Sequence, residues 1–513
     1  VIAAGGERID GREVTSTLER RWDVVVVGSG PAGSSVAADL AARGLSVAVV
    51  EAGRWFRPDE FRPGSFDAMS ATYRDMGASV VVGKAPMPYL QGRMVGGGSP
   101  INGAICWRLP ADVHAEWVHD DPALADALPW EALESITDAI EARLHVAPTD
   151  PAVAGPKNRL MAAGAEALGL EHRPIRRNVD GCRGLGRCMQ GCPEGNKRSV
   201  DRTLLADAQR DGATVLSSVE VRELVVERGR AVAVVGRAEG GGTVRAHADR
   251  AVVLAASAVQ TPALLLANGL RQGPVGRHFQ GHPGISMSGR FPEPVRMWEG
   301  ASQGHEVIGL RREGLKFEVL GLGLDVLAAR MPGVGRELAR HLEDLDHHVD
   351  WGVAVRAEAH GRVWLVRGRP VVAYTPTAGD LARFRRGLRV MGEMMFAAGA
   401  DSVDLGLRGH PSHVTDPRAL AEIERDGPRS AAAFTAAITH LFGTARLGSD
   451  PARSVVGPDF RHHNVDRLYV ADSSAFPSNT GVNPQISIMA LATLCARNVA
   501  GAALTSDPTR STP

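Results

Sequence analysis

Short runs of β-branched and apolar residues, each closed by glycine-rich turns or alanine-rich stretches, set the pattern of the chain. Residues 23–27 (Asp-Val-Val-Val-Val) read as a strand buried on both faces. A glycine turn follows at 28–33, then a helix-forming stretch at 34–43 that Gly44 stops, then a second apolar strand at 46–50. The same alternation returns at 252–256, a strand turning through Thr261-Pro262 into an apolar helix within 257–270, and again at 467–470. Pro484 then opens an apolar helix over 485 to about 499, where its missing N–H costs nothing. Between these segments, 353–355, 363–366 and 370–374 read as strands, and a long helix over about 380–398 carries Met391, Met394, Met395 and Phe396. That cluster is expected to be ordinary core.

The first unit has the full strand–turn–helix–strand–acid order of a dinucleotide clamp. Gly28 permits the tight turn, Gly30 lets backbone approach a pyrophosphate, and Gly33 allows close helix–strand packing. Pro31 and Ala32 lie within the turn, and the helix that follows turns its free N–H groups toward the phosphates. Glu51, followed by Ala52, ends the second strand and accepts hydrogen bonds from a ribose. A second glycine-rich loop, 92–103, lacks the strand and helix of another clamp. Its consecutive glycines suit backbone pressed against a flat ligand or phosphate.

Composition narrows the class. With 58 Lys+Arg against 58 Asp+Glu the chain has no net charge, which excludes a protein held mainly by nucleic-acid phosphates. Its 513 residues imply two or three domain-sized units. No apolar run reaches the length of a membrane span, and the first 22 residues lack a signal-peptide core. A cytoplasmic enzyme is expected, with peripheral membrane contact left open. Only four lysines occur, at 84, 157, 197 and 316, which reads as a compositional bias toward arginine. Cys182, Cys188 and Cys192 fall within eleven residues, but their spacing lacks the paired C-x2-C of zinc sites and no fourth ligand lies near, so no metal is expected.

Five blocks in this order, 23–53, 92–103, 252–270, 275–283 and 440–499, resemble the glucose–methanol–choline (GMC) oxidoreductase family of FAD enzymes. The resemblance implies an α/β fold: a Rossmann-like FAD-binding domain with a second, substrate domain built on an antiparallel sheet. The expected division is an N-terminal arm at 1–22, a discontinuous FAD-binding domain at 23–290 plus 432–513, and a substrate domain at 291–431. It places Gly28, Gly30, Pro31, Ala32, Gly33, Glu51, Ala52, Arg93, Gly97, Gly98, Ser99, Asn102, Gly103, Ala471, Asp472 and Pro484 against FAD, with Val221 near the adenine. Ile101 stands where some relatives carry a covalently linked His, so noncovalent FAD is expected. One departure is Asn268-Gly269-Leu270-Arg271, where relatives often have Ser-Gly-x-Gly.

The segment 439–448 resembles the family's His-x-x-Gly-Thr-x-Arg-x-Gly stretch, and Asn483 occupies the position of a second His or an Asn. The implied roles are His440 as proton acceptor and Asn483 as partner of the substrate oxygen, with hydride passing to flavin N5. Neutral imidazole is suited to the first role and an amide donor to the second. His462 and His463 are expected at the surface. The three-cysteine segment and 298–320 resemble the branch that includes long-chain fatty-alcohol oxidases, where the cysteines have a structural role; two thiols could still pair. Glu318 is either a further polar group of the site or a surface acid. The implied activity is oxidation of a lipophilic alcohol to an aldehyde or ketone, with O2 or another acceptor taking the electrons. A hydroxynitrile-lyase-like reaction on the same scaffold and a noncatalytic flavin-binding protein remain the alternatives. The oligomeric state is not indicated.

Overall fold

The computed structural model describes residues 6–331 and 333–505. Two sheets organise the chain. The first has eight strands in the order Arg8–Asp10, Thr214–Ser217, Val47–Val50, Leu18–Val27, Thr243–Leu254, Arg230–Ala238 and Val219–Glu227, with Leu468–Val470 also paired to Thr243–Leu254. Its centre is parallel: Val24–Val27 runs in register with Val47–Val50 on one side and with Ala251–Leu254 on the other. Val24, Val25 and Val26 have no exposed surface, as a strand covered on both faces requires. Helix Pro31–Ala42 lies on this sheet against helix Gln485–Thr505. Small residues permit the approach; a Cβ on Gly33 would lie 1.9 Å from the Gly28 carbonyl oxygen.

The second sheet has ten strands, all antiparallel, around the long strand Arg277–Arg290. His348–Val355, Leu315–Val319, His305–Val307 and His172–Pro174 extend it in one direction, Gly361–Val366 and Arg369–Ala373 in the other. Helix Ala378–Ala397 covers one face, and Met391, Met394 and Met395 are buried in that core, away from the large cavity described below.

The sheets divide the chain differently from the expected boundaries. Arg277–Arg290 and Ala436–Phe442, both assigned to the FAD-binding unit, belong to the antiparallel sheet, because each pairs along its length with strands of that sheet. His172–Pro174 joins it as well. Within the expected N-terminal arm, Arg8–Asp10 and the first half of Leu18–Val27 are strands of the first sheet. Residues 1–5 of that arm and 506–513 of the last segment lie outside the described residues. His462 is buried, not at the surface: its N–H bonds the Leu468 carbonyl, and burial followed by the neighbouring His463 pushes its pKa down to about 4. His463 is half-buried, its ring held by Ser454.

Candidate active site

A cavity of about 1510 Å³ lies between the sheets. Fourteen of the seventeen residues expected against the cofactor line it; Gly33, Arg93 and Ala471 do not. Gly33 is taken up by helix packing, and Ala471 by its backbone bond to Leu254. Arg93 is exposed, and its backbone N–H bonds the Thr72 carbonyl.

Two glycines leave room that the protein itself does not fill. A Cβ on Gly30 would find its nearest protein atom, Gly97 Cα, 3.9 Å away, and one on Gly98 would meet nothing within 4 Å. Gly28 has φ 101°, and a Cβ there would lie 2.4 Å from the Ala255 carbonyl oxygen. The first glycine therefore serves the turn, while the space beside Gly30 and Gly98 is a cradle for a ligand. Glu51 is oriented by the Ser29 N–H at 2.9 Å, the Ser29 hydroxyl at 2.8 Å and the Gly53 N–H at 2.8 Å. Gln485 contributes a buried amide nitrogen with no partner, its oxygen accepting from Asn102 at 2.5 Å. Such an orphaned donor in a cavity wall fits an electron-rich ligand edge. Asp472 accepts from the N–H groups of Ser257 and Ser474 and from the Thr261 hydroxyl, which pins the loop entering the last helix.

His440 comes from strand Ala436–Phe442. Gly281 pairs with Leu441 and Pro283 with Ile438, so His282 alone faces Thr439 and His440 across a β-bulge. A bulge re-aims a side chain, and here it turns His440 toward the cavity. Its Nδ1 lies 3.0 Å from Nδ1 of His282, whose Nε2 is buried without a partner. Burial first, and the charge of Lys316 second, push the pKa of His440 down to about 3. The ring is thus held neutral.

Asn483 is fixed by a group that sequence reasoning missed. Lys316, 1% exposed, donates to Asn483 Oδ1 at 3.0 Å. Because an ammonium only donates, the amide oxygen must face it, and Nδ2 is left to the cavity as a donor. The same ammonium bonds Glu318 and lies 2.8 Å from Glu306. Those two glutamates sit opposite each other in register on adjacent strands, a repulsive pairing that the lysine between them reverses. Trp107 and Arg173 complete the coordination of Glu306 at 2.7 and 2.8 Å, and Gln303 bonds Glu318 at 3.0 Å. Burial opposes both charges, yet the glutamates hold Lys316 above its ordinary pKa, and Lys316 with Arg173 holds Glu306 below its own. Glu318 and Gln303 line the cavity, so Glu318 is a group of the site and not a surface acid. The overlooked signal was the rarity of lysine: Lys157, Lys197 and Lys316 are all buried, and only Lys84 is exposed.

The model of the GMC oxidoreductase N-terminal domain matches residues 23–284, and that of the C-terminal domain matches 357–492. A GMC-type oxidoreductase of Mycobacterium tuberculosis is 36% identical over 475 residues, covering 92% of this chain and 75% of that protein. A long-chain-alcohol oxidase of Arabidopsis thaliana is 26% identical over 521 residues, covering 92% and 67%. The crystal structure of formate oxidase superposes with a TM-score of 0.73 over 95% of this chain and 99% of that one, at 16% identity, which bears on the fold. With an open glycine cradle on a parallel sheet, an antiparallel sheet carrying His440, and matches along most of its length, the chain belongs to the GMC oxidoreductase family, whose cofactor is FAD.

Proposed function

We propose that this oxidoreductase oxidises a lipophilic primary alcohol to the aldehyde, with His440 as base and Asn483 as the donor that holds the reacting oxygen. The observation that carries the reading is the shared cavity: the His440 ring and the free amide nitrogen of Asn483 face the space that the glycine cradle also borders. FAD, held by the residues around Gly30, Gly98 and Glu51, supplies the hydride acceptor. Ile101 offers no nucleophile for a covalent link, which supports noncovalent binding.

The chain's own part is proton transfer and orientation. In the tautomer where His440 Nδ1–H donates to His282, the Nε2 lone pair is free to take the hydroxyl proton. Asn483 Nδ2–H then donates to the developing alkoxide, and the nearby Lys316 charge favours that negative oxygen. Ile105, Ile285, Leu320, Leu322 and Phe434 line the cavity and support an apolar substrate body. The likeness to a long-chain-alcohol oxidase supports the same class.

The test is anaerobic mixing of the FAD-loaded enzyme with medium- and long-chain primary alcohols, followed by admission of air. Bleaching of the visible flavin band is expected, and fast recovery in air identifies oxygen as the acceptor. His440→Ala should retain FAD and lose bleaching; near-normal reduction in that variant overturns the base assignment. A band that no alcohol bleaches overturns the substrate class and favours a non-redox reaction.

A further inference from the structure

A second buried charged centre lies in the three-cysteine segment. Arg177, on strand Arg176–Asn178, has no exposed surface and makes no ion pair with a carboxylate among the described residues. A guanidinium keeps its charge under all ordinary conditions, so its burial requires an anion or a full set of acceptors. What it has are two sulfurs: Nη2 lies 3.1 Å from Cys188 Sγ and Nη1 3.9 Å from Cys182 Sγ, while Nε has no partner. Two further buried cations stand near and meet only neutral carbonyls. Lys197 donates to the carbonyls of Pro100, Asn102 and Cys188 at 2.7–2.8 Å, and Lys157 donates to that of Glu299. Three buried cations share no carboxylate, and the acidic groups closest to Arg177 are thiols.

We propose that Cys188 stands as a thiolate against Arg177 and is a peroxide-reactive modification site, with Cys182 as the thiol that closes a disulfide onto it. Electropositive surroundings with partial access are what make a cysteine reactive. Cys182, Cys188 and Cys192 are unpaired and half-buried, around a cavity of about 30 Å³ that also touches Arg177, Lys197 and Ser302. Such a volume admits a molecule of water or hydrogen peroxide size and little else. Burial raises the Cys188 pKa, but Arg177, Lys197 and the Ser302 hydroxyl outweigh it and hold it below its ordinary value.

In the first step the thiolate sulfur attacks one peroxide oxygen. The S–O bond forms, the O–O bond breaks, and hydroxide leaves; sulfur loses two electrons and the peroxide gains them. In the second, Cys182 sulfur attacks Cys188 sulfur, the S–S bond forms, the S–O bond breaks, and water leaves with the Cys182 proton. Both sulfurs bond one guanidinium, and the loop between them turns at Gly184 and Gly186, both at positive φ.

The test treats the full-length, FAD-loaded protein with hydrogen peroxide at pH 7 and locates the products by peptide mass spectrometry. The expected product joins the Cys182 and Cys188 peptides with loss of two hydrogens, while the buried Cys106 and Cys495 stay unmodified. Cys182→Ser should stop the reaction with one or two oxygens added to Cys188. Arg177→Met should slow it about tenfold or more, since an ordinary thiol is only a few per cent ionised at that pH. If Arg177→Met does not fold, the ultraviolet absorbance of thiolate decides: Cys188→Ser should lack it at pH 7 and Cys182→Ser should keep it. The proposal is overturned by an unreactive Cys188, by a Cys188–Cys192 bridge, by no thiolate signal, or by iron and acid-labile sulfide in the purified protein.

Discussion

Two buried cationic centres flank the glycine-lined cavity, and they are compensated in opposite ways. Lys316 is surrounded by two carboxylates and an amide oxygen, each of which needs it. Arg177 faces sulfur and an unfilled corner, with Lys197 and Lys157 against carbonyls. The first arrangement is a closed set of charges whose removal strands its partners. The second can change its own charge by moving a proton or forming a bond at sulfur. Buried charge therefore does two jobs in one chain: it holds geometry where a reacting oxygen must be oriented, and it activates a side chain where none is otherwise reactive.

The comparison breaks most sharply at Lys316. Lys316→Met leaves Glu318 buried without a cation and Glu306 with Arg173 alone, and a loss of about 3–5 kcal/mol is expected by denaturant titration. The same variant frees the Asn483 amide, so the rate of flavin reduction should fall about 100-fold; a variant of unchanged stability and rate removes the clamp from the account.

Next in size is a shift along the pH axis. His440 has a pKa of about 3 in the fold against an ordinary 6.5. The unfolded chain thus takes up a proton that the folded chain refuses, and stability should fall as pH drops through that window. The base form persists through the same window, so flavin reduction should stay level from pH 8 to about 5, without an acid limb at 6.5. Lys316→Met, by lifting the second cause of the depression, should bring that limb back toward 6.5.

At the sulfur centre the cost should be smaller. Arg177→Met replaces a charge by a side chain of similar volume, and Cys188 adjusts by becoming a neutral thiol, so a change within about 1–2 kcal/mol is expected. A loss as large as that at Lys316 would mean that Arg177 balances an anion other than the thiols. Lys84→Met, at the exposed fourth lysine, should stay within about 0.5 kcal/mol.

What could be read from sequence follows the same divide. The clamp was legible because its parts are contiguous: a valine run, glycines at fixed offsets and Glu51 lie within thirty residues, and each has a backbone reason to be where it is. His440 and Asn483 were legible through resemblance, and the structure brings both to one cavity. The His282–His440 contact was not, since it depends on a bulge between strands 158 residues apart. Nor was the Lys316 network, which gathers residues from 107 to 483. Lysine scarcity read as bias, yet Lys197 and Lys316 fill cages that a flat guanidinium suits poorly: Lys197 sends its three hydrogens to three carbonyls around a point. That strands 277–290 and 436–442 join the antiparallel sheet was not legible, because a strand's partners are set by distant segments and not by its own residues.

The wall of the cavity also has an order in time. Gly28 leaves the ribosome more than 400 residues before Asn483, Pro484 and Gln485, which close the same cavity and receive the Asn102 amide. At roughly 5–20 residues per second, the nascent chain holds half a cradle for about 20–90 s, with the valine sheet still lacking the strand Leu468–Val470 and the helix that covers it. During that interval the half-built site is an apolar edge in need of protection, by a chaperone or by early arrival of the dinucleotide. Expression yield should accordingly respond to flavin supply during synthesis more than to flavin added afterwards.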